Sequence, residues 1–289
     1  DSRRLCEIEL KLNESPRVVV QNFGQAHPLP PKQTVIADAT AVKTWTGWRP
    51  ASGRVLVQIA EPHPLLASAH LQTIVTQLRR KPELAVRCER LELADGDYVD
   101  LGWSGEDNAG GPLAVLVHGM AGNFDSHYLL GTARELVVRG WRTVMLKLRG
   151  AGAEPNRSHR HYNQADTEDV RHVWQVLRAR EPEAFIASVG WSLGANLTLK
   201  AMGEEGAGAT VDVAAAACAP FTIRPCAERL RTGFSKVYQK HLLELCKEAL
   251  KRKSALVALP PEVDLAAALA AEDFIGFDDA CTSRLAGYA

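Results

Sequence analysis

The 289-residue sequence predicts an α/β fold, a doubly wound and mostly parallel sheet with helices on both faces. Three observations carry that prediction. A continuous apolar run, Leu113-Ala114-Val115-Leu116-Val117, has the texture of a parallel strand buried on both faces. Strand and helix patterns then alternate: helix at 127–139, strand at Thr143 to Leu148, helix at 165–180, strand at Phe185 to Val189, helix at Leu193 to Met202, strand at Val211 to Ala217. Finally, residues 184–199, AFIASVGWSLGANLTL, read as an apolar strand, a tight turn and a proline-free helix with one serine at the bend. Right-handed crossovers between the parallel strands complete the layout.

Taken in order, residues 1–60 form an N-terminal extension of different texture. It holds a prolyl stretch, His27-Pro28-Leu29-Pro30-Pro31, and a Trp-rich turn at Trp45-Thr46-Gly47-Trp48. Glu7, Glu9 and Lys11 alternate as on one face of a strand. Their E-x-E-x-K spacing resembles the signature of triphosphate-tunnel (CYTH) proteins. An ordinary amphipathic strand is the better account, because a tunnel needs many more charged strands than follow. Regular order begins at Arg87: Leu91 to Ala94 reads as a strand, Asp95-Gly96 as a hairpin turn, and Tyr98 to Leu101 as the return. Past Ala217, the stretch 235–253 alternates apolar and charged residues at helix spacing, which fits a helical cap over a site. Residues 61–289 are therefore expected to form the main domain, with its cap at about 221–282.

Composition narrows the function classes. Lys plus Arg and Asp plus Glu number 34 each, so no net field draws in nucleic acid or an anionic surface, and neutral small molecules fit better. Six cysteines lie scattered without C-x-x-C spacing, so neither a zinc site nor a disulfide framework is expected, only reduced and mostly buried thiols. No metal or cofactor is implied. No apolar run reaches membrane-spanning length, and the opening DSRRLCEIELK is too charged for a secretory signal. A cytoplasmic location is the expectation.

The chemistry centres on Ser192, which Gly190 and Gly194 flank at two residues on each side. A serine on a sharp strand-to-helix turn needs neighbours without Cβ, so that the backbone folds tightly and Oγ stays exposed above the sheet. His118-Gly119-Met120-Ala121-Gly122 follows the first buried parallel strand, at the sheet end where open α/β folds bind ligands. Ester hydrolysis requires two N–H groups aimed at the oxygen that becomes negative. Met120 N–H and Leu193 N–H are the candidates for this oxyanion hole, the second at a helix N-terminus. A plain strand-to-helix turn would also favour glycines around Met120.

Together these residues make the G-x-S-x-G nucleophile elbow of the α/β-hydrolases. The segments HLQTI (70–74), LVHGM (116–120), LRGAGAEPNR (148–157), YNQADTED (162–169), GWSLGANL (190–197) and CAPFTI (218–223) resemble the YheT-type branch of that superfamily. The branch includes plant embryogenesis-associated proteins and animal abhydrolase-domain lipases. CAERLRTGFSKVYQKHLL (226–243) and FIGFDDACTSRLAGY (274–288) resemble its lid. The resemblance implies an α/β-hydrolase fold with a helical cap. It also implies hydrolysis of carboxylic esters, acylglycerols or medium-chain acyl esters, through an acyl-enzyme on Ser192.

Other residues in these motifs have plainer explanations. Arg149, Arg157 and Asp169 suit ion pairs that pin loops, His161 and Asp166 share only the H-x4-D spacing of acyltransferases, and Cys218 suits a packed thiol at a strand end. The triad acid and base are not found. Such triads run in the order Ser, then Asp or Glu, then His, yet the only histidine after Ser192 is His241, in the middle of the expected cap helix. Asp212 lies at the wrong end of a strand, and Asp264, Asp273, Asp278 and Asp279 fall in the cap region. Relatives of this branch continue with two further strands that bring the acid and the histidine. The expectation is a fragment lacking those strands, with an open sheet edge beyond Val211 to Ala217. The alternative to an esterase is thus a hydrolase-fold binding module, or an inactive fragment without acid and base.

Overall fold

The computed structural model describes residues 17–21, 55–58, 68–78, 80–106 and 111–288. Glu7, Glu9, Lys11, the prolyl stretch and the Trp-rich turn lie outside them. Eight strands among the described residues form one sheet: β1 (Arg17–Gln21), β2 (Val55–Gln58), β3 (Arg87–Glu92), β4 (Tyr98–Ser104), β5 (Leu113–Val117), β6 (Arg142–Lys147), β7 (Ile186–Trp191) and β8 (Val213–Ala217). Their order is β2-β1-β8-β7-β5-β6-β4-β3. From β2 through β6 every neighbour is parallel, while β4 runs antiparallel to β6, and β3 to β4. This is the mostly parallel, doubly wound sheet that the alternating pattern predicts.

Burial explains the parallel centre. All five residues of β5 are buried, as its unbroken apolar run requires of a strand covered on both faces. Its covering helices are α2 (His127–Val138), α3 (Glu168–Arg180) and α4 (Leu193–Glu205), following α1 (Ala69–Leu78) in the chain. α3 turns Val170, Val173, Trp174 and Leu177 inward, and Trp174 Nε1 donates to Ser188 Oγ of β7 at 3.2 Å, which satisfies the indole in the core. Eight residues of α4 are buried, so the helix after the elbow is held as core. At the hairpin, Gly96 takes φ +80°, and Leu93 N–H reaches Asp97 O at 2.9 Å.

The sheet edge differs from expectation. β8 is not open: β1 pairs with it along its whole length, Arg17 opposite Val213 through Gln21 opposite Ala217, and β2 extends the ladder outward. An unpaired strand is a row of unsatisfied N–H and C=O groups, and the Val-Val-Val run of β1 is a ready partner for it. Both strands run parallel to β8, so the chain leaves Gln21 and Gln58 at the same sheet end as Trp191 and Ala217.

Past β8 the chain is helical: α5 (Ile223–Leu230), α6 (Ser235–Ser254), α7 (Leu265–Ala270), α8 (Phe274–Phe277), a π-helical turn at Asp278–Thr282 and α9 (Ser283–Leu285). Leu243 and Leu250 of α6 build a separate core with Ala268, Phe274, Phe277, Cys281 and Leu285. Asp264 and Asp273 cap α7 and α8, accepting from Ala267 N–H and Gly276 N–H at 2.9 Å each. Lys253 of α6, 2% exposed, donates Nζ to Asn156 Oδ1 at 2.6 Å and to Arg160 O at 2.5 Å, tying this layer to the loop before α3. Among the described residues no helix is long and apolar enough to cross a membrane.

The cysteines also depart from expectation. Cys88, Cys218 and Cys226 are exposed and Cys246 is half-buried, leaving Cys281 as the buried thiol of the five described. All five are free. Cys218 is exposed rather than packed, at a point where the chain turns left-handed, φ +49°, as it leaves β8.

Candidate active site

Among the described residues three non-glycines have left-handed backbones, Ala121 at φ +56°, Ser192 at +50° and Cys218 at +49°. They follow β5, β7 and β8, three neighbouring strands, at one end of the sheet. Backbone strain of this kind costs of order 1–3 kcal/mol per residue and concentrates at functional sites. The site lies at the C-terminal ends of the parallel strands.

Ser192 is exposed, between a buried Gly190 and a buried Leu193. Its φ of +50° and ψ of −119° turn the chain directly from β7 into α4. Ser192 N–H donates to Ala217 O at 2.9 Å, which ties the turn to the end of β8. The glycines are required by contact rather than by dihedral angle. A Cβ at Gly190 would lie 2.3 Å from Gly194 O, and one at Gly194 would lie 2.3 Å from His118 O and 2.4 Å from Val117 O. A Cβ at Gly119 would sit 3.1 Å from Ser192 Cβ, so the loop after β5 passes directly beside the serine. Met120 N–H and Leu193 N–H donate to no group among the described residues.

The nearby histidines have other work. His118 is wholly buried, with Nδ1 2.7 Å from Gly119 O and Nε2 accepting from Leu148 N–H at 3.2 Å. A carbonyl only accepts and an amide only donates, so the ring is neutral with its proton on Nδ1. Burial agrees, pushing its pKa down to about 4. Burial and the nearby Lys253 charge do the same to His161, also to about 4, and its Nδ1 lies 3.2 Å from Arg149 O. Asp166 does not pair with His161: Arg160 takes its carboxylate at 2.7 and 3.0 Å. His241 is exposed on α6.

Asp212, Asp264 and Asp273 are likewise occupied. Asp212 precedes β8 at the far sheet end, accepting from Arg178 and from Ile186 N–H at 2.7 Å each. Asp273 also pairs with Arg231 at 2.9 Å. Ser192 Oγ has no hydrogen-bond partner among the described residues, so the structure does not bring an acid or a base to it from within them.

Arg149, Arg157 and Asp169 form the expected ion pairs. Arg149, 3% exposed, grips Asp169 through Nε at 2.9 and 3.0 Å and also pairs with Asp95, while Arg157 holds Glu92 at 2.9 Å. Burial raises the Asp169 carboxyl pKa, and the Arg149 guanidinium opposes that rise. These groups brace the loop from β6 to α3. Tyr128 and Tyr162 were not singled out by sequence, yet both reach the loop after β5. Nothing in their local spacing marks them, because each acts on residues 9 and 41 positions away.

Residues 112–270, more than half of the chain, match the Hydrolase_4 family, described as serine aminopeptidase, S33. The chain is 38% identical over 227 residues to YheT of Escherichia coli (strain K12), covering 77% of this chain and 66% of YheT. Against human phospholipase ABHD3 it is 26% identical over 215 residues, 72% of this chain and 52% of that protein. With medium-chain fatty acid ethyl ester synthase/esterase 2 of Saccharomyces cerevisiae it shares 30% identity over 132 residues, 43% of this chain and 29% of that protein. The chain thus spans between 29% and 66% of the length of these relatives. With its mostly parallel sheet and the matched segment running from β5 through α7, the chain belongs to the Hydrolase_4 family of the α/β-hydrolase superfamily.

Proposed function

We propose that this protein is a serine-dependent carboxylic ester hydrolase. Ser192 Oγ attacks the ester carbonyl, the alcohol leaves with a proton, and water cleaves the acyl-enzyme to release the acid. The observation that carries this reading is the strained, exposed Ser192 on a turn that Gly190 and Gly194 alone can close, with the Met120 loop alongside. In the tetrahedral intermediate the oxyanion takes hydrogen bonds from Met120 N–H and Leu193 N–H, which have no other partner among the described residues. The N-terminus of α4 adds its positive dipole end at the same place.

The substrate class follows from the surroundings and from the relatives. Met120 packs against the apolar cluster of α6 to α9, so the helical layer can offer an acyl chain a hydrophobic wall beside the serine. Relatives named as a phospholipase and as a medium-chain ethyl ester esterase favour acylglycerols or other medium-chain acyl esters.

A panel of p-nitrophenyl esters of increasing chain length, run on the wild type and on Ser192→Ala, tests this reading. Turnover that peaks at medium chain length and vanishes in the variant is expected. A second reading, a hydrolase-fold binding module, draws on the free Ser192 Oγ. It predicts medium-chain ester binding without turnover in either protein.

A further inference from the structure

The loop after β5 is held from two sides by tyrosine hydroxyls. Gly119 donates its N–H to Tyr128 Oη, on the first turn of α2, at 2.9 Å. Ala121 donates its N–H to Tyr162 Oη, in the loop before α3, at 2.9 Å. Gly122 N–H closes the turn onto Gly119 O at 3.0 Å, and His118 Nδ1–H reaches the same oxygen at 2.7 Å. Between these bonded amides lies Met120 N–H, which donates to no group among the described residues.

Gly119 C=O and Met120 N–H belong to one planar trans peptide and point in opposite directions. Two donors fix the carbonyl, so they also fix the direction of the free N–H. The tyrosines fix the peptide planes on either side, and Tyr162 holds Ala121 in its left-handed conformation at φ +56°. The Met120 side chain, packed against the apolar cluster of α6 to α9, closes the remaining freedom. We infer that Tyr128 and Tyr162 are positioning residues, a two-hydroxyl clamp that holds Met120 N–H at the oxyanion of the intermediate on Ser192. This rests on the reading of Ser192 as nucleophile. Burial raises the pKa of both phenols, so each hydroxyl stays protonated at neutral pH and accepts its amide as a neutral group.

Tyr128→Phe and Tyr162→Phe each delete one oxygen and keep the ring. The first readout is phosphonylation of Ser192 by a fluorophosphonate, followed by intact-mass spectrometry over a range of probe concentrations. Loss of a whole oxyanion donor costs on the order of 10²–10³ in rate, and a misaimed donor should cost about tenfold or more. The limiting rate is expected to fall by that factor in each variant, with the half-saturating probe concentration unchanged. Wild-type rates in both variants would overturn the clamp. A wild type that takes no label at Ser192 would overturn the nucleophile reading and this inference with it.

The second readout is amide hydrogen exchange, which needs neither activity nor a variant. Slow exchange at Gly119, Ala121 and Gly122 around a fast Met120 is expected. Fast exchange at all four would remove the clamp whatever the labelling shows. In the variants, exchange should quicken at Gly119 in Tyr128→Phe and at Ala121 in Tyr162→Phe.

Discussion

Gly194 packs against the backbone of His118 so closely that a Cβ on it would lie 2.3 Å from the His118 carbonyl oxygen. That oxygen belongs to the residue that follows β5, so the contact joins the elbow helix to the loop that carries Met120. Neither partner is the flexible end of a side chain, and neither can step aside. Gly194→Ala should therefore destabilise the protein by at least the 1–3 kcal/mol typical of an overpacked site. Ser192→Ala, which removes only an exposed hydroxyl, should stay within about 0.5 kcal/mol of wild type. Urea unfolding of the two variants checks the contrast, and equal midpoints would contradict it.

Removing residues 1–60 should open the edge of β8. β1 and β2 would go, leaving the backbone of Val213 to Ala217 unpaired along one side. Exposed strand edges recruit other chains. The shortened protein is expected to melt lower and to associate with increasing concentration in light scattering. A monomer with an unchanged melting temperature would show that the N-terminal strands are dispensable.

Stability should fall between neutral and mildly acid pH because two histidines are held neutral, His118 wholly buried and His161 half-buried. His118 and His161 both titrate near 4 in the folded protein, against about 6.5 when unfolded. Between those values the unfolded chain binds about two more protons, so their contribution is complete above about 6.5 and is lost as pH falls toward 4. The slope is about 2.7 kcal/mol per pH unit for two protons. Asp97 adds to the loss only lower in pH. Burial alone would raise its carboxyl, but hydrogen bonds from Ser158, Asn156 and the N–H groups of Arg157 and Tyr98 hold it below its ordinary value. Urea midpoints from pH 4.5 to 7.5 measure the slope, and His161→Gln should roughly halve it. A flat profile would contradict neutral rings at both positions.

Lys253→Met should loosen the helical layer. The substitution keeps the apolar stem but leaves Asn156 Oδ1 without its donor, while Arg160 O keeps only the bond from Asn156 Nδ2, and a buried unsatisfied group costs about 1–3 kcal/mol. Limited proteolysis is expected to cut first within residues 221–285. An unchanged cleavage pattern would mean that apolar packing alone holds the layer.

Much of this arrangement was legible in the sequence because it is local. The run Leu113 to Val117, the Asp95-Gly96 turn and the glycines around Ser192 each declare their geometry within a few residues, and the strands and helices fall within a few residues of their expected bounds. The pairing of β1 with β8 was not legible. It joins residues nearly two hundred positions apart, and a three-valine run carries no address. The left-handed turn at Cys218 was hidden too, since a cysteine carries no local sign of a positive φ. Tyr128 and Tyr162 look like ordinary aromatic residues until folding brings their hydroxyls to the Met120 loop.

The central claim is that Ser192 is the nucleophile, and it can be read from a single peptide. The protein is incubated to completion with a fluorophosphonate, digested, and mapped by tandem mass spectrometry. One adduct, on the Ser192 side chain and absent from Ser192→Ala, is the predicted result. An unlabelled wild type, or an adduct that persists in Ser192→Ala on another residue such as the exposed Cys218, would contradict the claim.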